Sequence, residues 1–331
     1  MMSDLHTPLQ WALLGLRGVR AMHDGERAHI APTAAGTADR AGMAPRAPDP
    51  LRPASPPAGG SPLALRGAPP QASPEELAAA GKFRSIGLDE LSQVRLLDRI
   101  DTKWFLHRSL VPELLAGLRD DYFILETAGT RIASYDSLYF DTPDLTFYRQ
   151  HHNKQKTRLK VRFRQYVESN LTFAEIKHKT NTGRTVKNRV AVSSIETELG
   201  PIGAQLVPPD SGLEPLSVVP TLRNAFARLT LARTDYAERV TIDLGLGFVS
   251  ATGHADLRDL AVVELKQASR GESPVARVLT DLGVPSSSLS KYCLGVAWTI
   301  PHAKRNNFKR LMQRLVSVGS TMPAVRRSHG S

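Results

Sequence analysis

A single cysteine, Cys293, in 331 residues leaves no internal disulfide framework and no cysteine-rich zinc site. No apolar run approaches the roughly 18 residues that span a bilayer. The best candidate for a leader core, Trp11 to Leu16, is too short and has no basic stretch before it. Familiar motifs are missing as well: there is no G-x-x-x-x-G-K-[ST] loop and no H-E-x-x-H. Residues 301–331 contain no acidic residue at all. What is left is a soluble chain of ordinary globular composition, 41% hydrophobic and 23% charged, read as a cytoplasmic protein of a reducing compartment.

The formal charge is +11, from 43 Lys and Arg against 32 Asp and Glu. It is unevenly spread. Residues 1–80 are neutral overall and carry 12 of the 23 prolines, whereas 301–331 hold seven basic residues. The Pro/Ala-rich region 1–80 lacks periodicity and reads as disordered, because it cannot bury enough apolar area to offset its ordering entropy. The texture changes near Ser85. Residues 85–300 read as one folded domain, and 301–331 as a basic tail with an amphipathic helical face of Phe308, Leu311, Met312 and Leu315.

Helices are expected over Leu88 to Asp98, Ser109 to Leu118, Thr221 to Leu231, and from Pro274, with Ser273 as N-cap, to a stop at Gly283. Between them lie segments of period two. In Arg158 to Arg164 every even position is basic and every odd one apolar. Phe173 to Lys179, Arg239 to Leu244, Ala261 to Lys266, Arg99 to Lys103, Ser134 to Phe140 and Lys187 to Val192 alternate in the same way. Alternate side chains of a strand point to opposite faces. One reading is an antiparallel sheet with a dry and a wet face. The other is a closed antiparallel β-barrel with a charged lumen and helices packed around it, an α+β fold. Four cations on one strand face repel each other, which favours a lumen that holds a polyanion.

The inward candidates are Arg99, Lys103, Arg158, Lys160, Arg162, Arg164, Lys177, Lys179, Lys187, Arg189, Arg233, Arg239, Lys266 and Lys291. The acids among them are few: Asp101, Glu175, Asp243 and Glu264. Arg forks match phosphate oxygens and Lys supplies point charges. Carboxylates can hold a divalent metal that bridges phosphates. Such a set suits phosphoryl transfer, where the protein positions and neutralises. Gly245-Leu246-Gly247 reads as a strand-end turn, His151-His152 as structural or solvated, and Cys293 as a small buried residue.

The ordered series Arg99-x-Asp101-x-Lys103, Tyr135-x-Ser137-x-Tyr139-Phe140-Asp141-Thr142, Tyr148, His151, Arg158-x-Lys160-Val161-Arg162-x-Arg164-x-Tyr166 and Phe173-x-Glu175-x-Lys177-x-Lys179 resembles the VTC domain. Arg233, Tyr236, Arg239, Val263-Glu264-Leu265-Lys266 and Ser290-Lys291-Tyr292 continue the resemblance over about 85–300. This is the polyphosphate-polymerase branch of the CYTH-like triphosphate tunnel metalloenzymes. The resemblance implies a tunnel that binds a nucleoside triphosphate and polyphosphate with Mn²⁺ or Mg²⁺, and transfer of the γ-phosphate to a growing chain. It implies Lys103, Lys177 and Lys291 at the transferring group. Of the residues expected to hold substrate, the resemblance gives Arg162, Arg164, Lys187, Arg233 and Arg239, and the charged strand faces add Arg99, Arg158, Lys160, Lys179, Arg189 and Lys266. Glu264, helped by Glu175 or Asp243, would hold the metal.

Two rivals stand beside this: a metal-dependent triphosphatase of the same fold, and a non-catalytic polyphosphate-binding module. Nucleic acid is not an expected partner, because the basic strands alternate with aliphatic residues rather than stacking platforms. The basic tail offers a membrane-surface or protein contact. Removal of 302–331 is expected to leave fold and chemistry intact.

Overall fold

The computed structural model describes residues 63, 70–94, 99–208, 211, 217–269, 271–288 and 290–317. Among the described residues, eleven strands form one sheet: β1 (Ser85–Ile86), β2 (Ile100–His107), β3 (Tyr122–Leu125), β4 (Ala133–Asp141), β5 (Arg158–Tyr166), β6 (Leu171–Lys179), β7 (Thr185–Val192), β8 (Val219–Arg233), β9 (Glu238–Ser250), β10 (Gly253–Gln267) and β11 (Ser286–Ser287). The helices are α1 (Pro74–Gly81), α2 (Leu88–Leu91), α3 (Val111–Ala116), α4 (Thr146–His152), α5 (Gly200–Ala204), α6 (Pro274–Asp281), α7 (Lys291–Thr299) and α8 (Lys309–Ser317). The strand order is β11-β2-β10-β9-β8-β4-β5-β6-β7, and every ladder on this path is antiparallel. Off the path, β3 pairs with β8 and, in parallel, with β1.

The alternation in sequence becomes a sheet with two unlike faces. Trp104, Leu106, Leu229, Leu231, Val240, Ile242, Val263 and Leu265 pack against Leu114 and Leu115 of α3 and Val275 and Leu279 of α6. Leu138, Phe140, Leu159, Val161, Phe163 and Ile176 continue the apolar side under β4 to β6. The residues between them carry the charges to the other side. Register sets these opposite one another: Lys103 to Glu264, Arg162 to Glu175, Lys160 to Lys177 and Arg228 to Asp243.

One end of the charged face is closed by α7. Phe105, Tyr139, Phe226 and Val262 lie on that face and pack with Tyr292, Leu294 and Val296 of α7. Ser290 caps the helix by accepting from Cys293 N at 3.2 Å, so its first residue, Lys291, sits where the apolar plug meets the charges. The switch from one face to the other in β9 is made at Gly245, with φ +61°. Leu244 joins one core and Leu246 the other. A Cβ at Gly245 would meet Pro70 Cβ at 2.9 Å, so glycine is needed for both conformation and space.

Several expectations are corrected. Gly245 lies inside β9 and is not a strand-end turn. The stretch Thr221 to Leu231 is not a helix but the middle of β8, paired with β4 and β9. The sheet is not a closed barrel: among the described residues no ladder joins β7 to β11. Alternation specifies two faces, whereas closure needs matched edges and stagger. The disordered reading of 1–80 falls mostly outside the described residues. Its last part is ordered: α1 has a capping box in which Ser73 and Glu76 satisfy each other's backbone N–H.

The tail is likewise not a dispensable appendage. Tyr148 Oη donates to Lys304 O at 2.6 Å, Asn307 bonds His152, and Phe308 packs edge-on to both rings. Leu315 of α8 is fully buried with Trp298 and Ile300, a burial worth about 1.5–3 kcal/mol for one leucine. Removal of 302–331 therefore uncovers part of the core. Among the described residues no helix is long and apolar enough to cross a membrane.

Candidate functional site

The charged face is concave. Lys177 on β6 is influenced by Asp101 on β2, by Arg99 just before β2 and by Glu264 on β10, and Lys160 on β5 by Lys103 on β2. These strands are far apart in sheet order, so the sheet curls until its two ends face each other across a cradle.

Three carboxylates inside the cradle each hold two cations. Glu264 accepts from Lys103 at 2.8 Å and Lys266 at 3.0 Å. Glu175 accepts from Arg162 and Lys187, each at 2.5 Å. Asp243 accepts from Arg228 Nη2 at 2.9 Å and also bonds Arg228 Nε and Lys291. Burial alone would raise these acids. For Glu264, Lys266 and Lys103 overcome it; for Glu175, Arg162 and Lys187 do so; for Asp243, Arg228 and Lys291. All three stay ionised below their ordinary range.

A second group of cations has no such partner. Among the described residues, Lys160 and Lys177 make no ion pair, and Arg158 Nε is buried without a hydrogen-bond acceptor. Burial and Lys160 bring Lys177 down to about 8. Burial also lowers Lys160. Tyr139 stands between the two groups. Its hydroxyl accepts from Arg162 Nη1 at 3.1 Å and its ring stacks on Tyr292. Burial would raise this phenol, but Arg162, Arg164 and Lys160 bring it to about 8.

Most expected site residues reach this face. Arg99 pairs with Asp101 at 3.1 Å near the rim. Arg164 donates to Ser137 Oγ at 3.0 Å and lies over Tyr135 and Phe226. Arg189 lies 4.2 Å from the Phe173 ring centre, Arg239 bonds Leu91 O, and Lys179 ends β6 on the same side. Arg233 does not belong to it. It shares a face with Leu229 and Leu231 and pairs with Asp235, so its assignment to substrate is corrected. Its place is taken by Arg228, which the helical reading of β8 concealed. Read with period two, Asn224, Phe226, Arg228 and Thr230 would have revealed it.

Among the described residues no three His, Cys, Asp or Glu side chains gather to hold a metal. Glu264, Glu175 and Asp243 lie on three different strands and do not form one ligand set. A cation caged by protein alone does not fit. A divalent ion that brings phosphate oxygens fits at Glu264, whose side chain is 16% exposed against 2% for Glu175 and 0% for Asp243.

No curated protein matches the sequence. A candidate adenylate cyclase from Bacillus halodurans aligns with a TM-score of 0.39 at 13% identity, over 58% of this chain and 94% of that one. A candidate adenylyl cyclase from Hippeastrum, described as having a dominant triphosphatase activity, aligns with a TM-score of 0.39 at 14% identity, over 62% and 98%. A candidate adenylate cyclase from Vibrio parahaemolyticus aligns at 0.34 and 11%, over 59% and 95%. The VTC domain matches residues 98–199 and 213–300, which carry the sheet from β2 onward and α7. With more than half of its length so matched, the chain belongs to the VTC domain family.

Proposed function

We propose that the chain transfers the γ-phosphoryl group of a nucleoside triphosphate to the end of a polyphosphate chain held in the cradle. The observation that carries this reading is the set of Lys160, Lys177 and Arg158, none of them in an ion pair among the described residues, beside three clusters in which one carboxylate is shared by two cations and a positive charge is left over. Unpaired buried cations are costly unless an anion completes them. Arg162, Arg164 and Arg228 seat the triphosphate. Lys103, Lys177 and Lys291 neutralise charge that spreads over the transferring group. The bond from the γ-phosphorus to its bridging oxygen breaks, a terminal oxygen of the acceptor chain forms the new bond, and the nucleoside diphosphate leaves. No protein base is required. Glu264 would hold Mn²⁺ or Mg²⁺ on the phosphates, and the ion would supply further charge neutralisation.

Purified protein given ATP, Mn²⁺ and a short primer is expected to lengthen the primer on a gel, with little free phosphate. Arg162→Ala and Glu264→Gln are expected to abolish lengthening. Free phosphate without longer chains would replace this reading with triphosphate hydrolysis. Neither product, with polyphosphate still bound, would leave a binding module.

The pH dependence follows from Lys177. It must be protonated to hold an anion, so tripolyphosphate affinity is expected to fall as pH rises through about 8. Stability moves the other way. An unfolded lysine keeps its proton to about 10.4, so above about 8 the unfolded chain binds more protons and folding gains as pH rises. Titrations at pH 7 and pH 9 check this; a Lys177→Met variant should weaken both trends without removing them, because Lys187, Lys266 and Tyr139 are also brought to about 8.

A further inference from the structure

The row of cations on β5 does not stop where the cradle stops. Arg158 is the first residue of β5 and Lys179 the last of β6, and the ladder sets them opposite each other. The turn that enters β5 and the hairpin that leaves β6 therefore emerge side by side. Lys154 and Lys156 lie in the first, Arg184 in the second, and all three are exposed. Behind them Arg158, Lys160, Lys177 and Lys179 are half-buried. The hairpin is closed by Thr180 N donating to Arg184 O at 2.8 Å. Residues 145–167 carry seven cations and residues 176–195 five, with no acid in either. These turns thus bring no counter-charge of their own. Among the described residues Lys154, Lys156, Lys179 and Arg184 make no ion pair, whereas Arg149 of α4 takes Asp144.

Lys154 keeps its place against the preference of the backbone. Helix α4 ends in a Schellman turn, with Gln155 N donating to Gln150 O at 2.9 Å and Lys154 N to His151 O at 3.2 Å. That turn holds one residue in the left-handed region, and Lys154 has φ +55°. Glycine suits the position best, because a Cβ there crowds the following carbonyl. A lysine is unfavourable for the turn and adds repulsion to a patch that already lacks acids. Strain of this kind points to something outside the fold that needs the charge. From Arg164 to Arg158 the cations of β5 extend about 20 Å, at about 3.3 Å per residue. A triphosphate covers only part of such a row. A longer chain covers all of it and continues onto the turns.

We propose that Lys154, Lys156 and Arg184 form an outer site for the body of a long polyphosphate chain, holding units beyond those seated on Lys160, Lys177, Arg158 and Lys179. This rests on the phosphate reading of the cradle and adds chain-length selectivity to it. Every unit of such a chain is charged, so exposed point charges on flexible stems suffice and no shaped pocket is needed. Residues 153–157 and 180–184 hold no aromatic side chain on which a nucleic-acid base could stack.

The test compares tripolyphosphate with long-chain polyphosphate by calorimetry on the full chain, over a range of salt. Lys156→Gln, Arg184→Gln and Lys154→Gly are each expected to weaken long-chain binding about fivefold at low salt, the upper worth of one exposed charge contact. Each should lower the slope of log affinity against log salt by about one. Tripolyphosphate binding should stay unchanged. Lys154→Gly should also unfold no earlier than the wild type, since it relieves the left-handed turn. With ATP and a short primer, the triple variant should lengthen primers at the wild-type initial rate but release shorter chains. Equal losses for tripolyphosphate and long chains, or no loss in any variant, would overturn the outer site and leave the cradle standing. Equal weakening of a single-stranded oligonucleotide would also overturn it, by marking a surface for any polyanion. Failure of the wild type to bind tripolyphosphate would remove the phosphate reading itself.

Discussion

Replacing Asp243 by Asn is expected to lower folding stability by about 3–5 kcal/mol, the range for breaking a buried ion pair by removing one partner. Asp243 is fully buried, and it is the shared acceptor for Arg228 and Lys291. An amide keeps the shape but leaves two buried cations without a counter-charge. In the wild type, Arg228 is held above its ordinary value against burial by Asp243, so the loss falls first on that side chain. Urea unfolding gives the number directly. Added tripolyphosphate should return part of it, because an anion that binds the folded state replaces the missing charge. A loss below about 1 kcal/mol, the size of a surface pair, would show that the cluster is solvated and not a dry support of the cradle.

Lys160→Met is expected to act in the opposite sense on stability. The side chain keeps its volume but loses a charge that burial, Lys103 and Arg162 all disfavour. The variant should unfold no earlier than the wild type. Its affinity for tripolyphosphate should fall by about 10- to 100-fold, from the loss of one charge-assisted hydrogen bond. Sites that hold like charges together sacrifice stability for binding. Earlier unfolding with unchanged affinity would mark Lys160 as a structural residue. The contrast between Asp243 and Lys160 separates cations that build the cradle from cations that wait for a ligand.

The sequence shows most clearly those parts where one physical rule acts alone. In β5 and β6 the alternation is uninterrupted, and Arg158, Lys160, Arg162, Arg164, Glu175 and Lys177 all reach the expected face. In β8 two rules compete. Leu222, Ala225, Ala227 and Leu229 suit a helix as well as a strand, and pairing with β4 and β9 overrides local propensity. That one misreading hid Arg228, and the resemblance set Arg233 in its stead. The irregularities at Gly245 of β9 and between Leu257 and Ala261 of β10 then shift the period within β9 and β10, which no strict alternation follows. Closure of the sheet was not legible, because it depends on edges that share no local pattern. Nor was the pairing of Glu264, Glu175 and Asp243 with two cations each, which needs register and curl together.

The central claim is that the concave face holds a chain of phosphates on cations that the protein leaves unpaired. The most direct measurement is the thermal unfolding midpoint of the wild type with rising tripolyphosphate, against sodium chloride at matched ionic strength. At 100-fold excess over Kd, a ligand specific to the folded state adds about 2.7 kcal/mol. The midpoint is expected to climb with tripolyphosphate and stay level with salt. A midpoint that ignores tripolyphosphate, or follows both solutes equally, would contradict it.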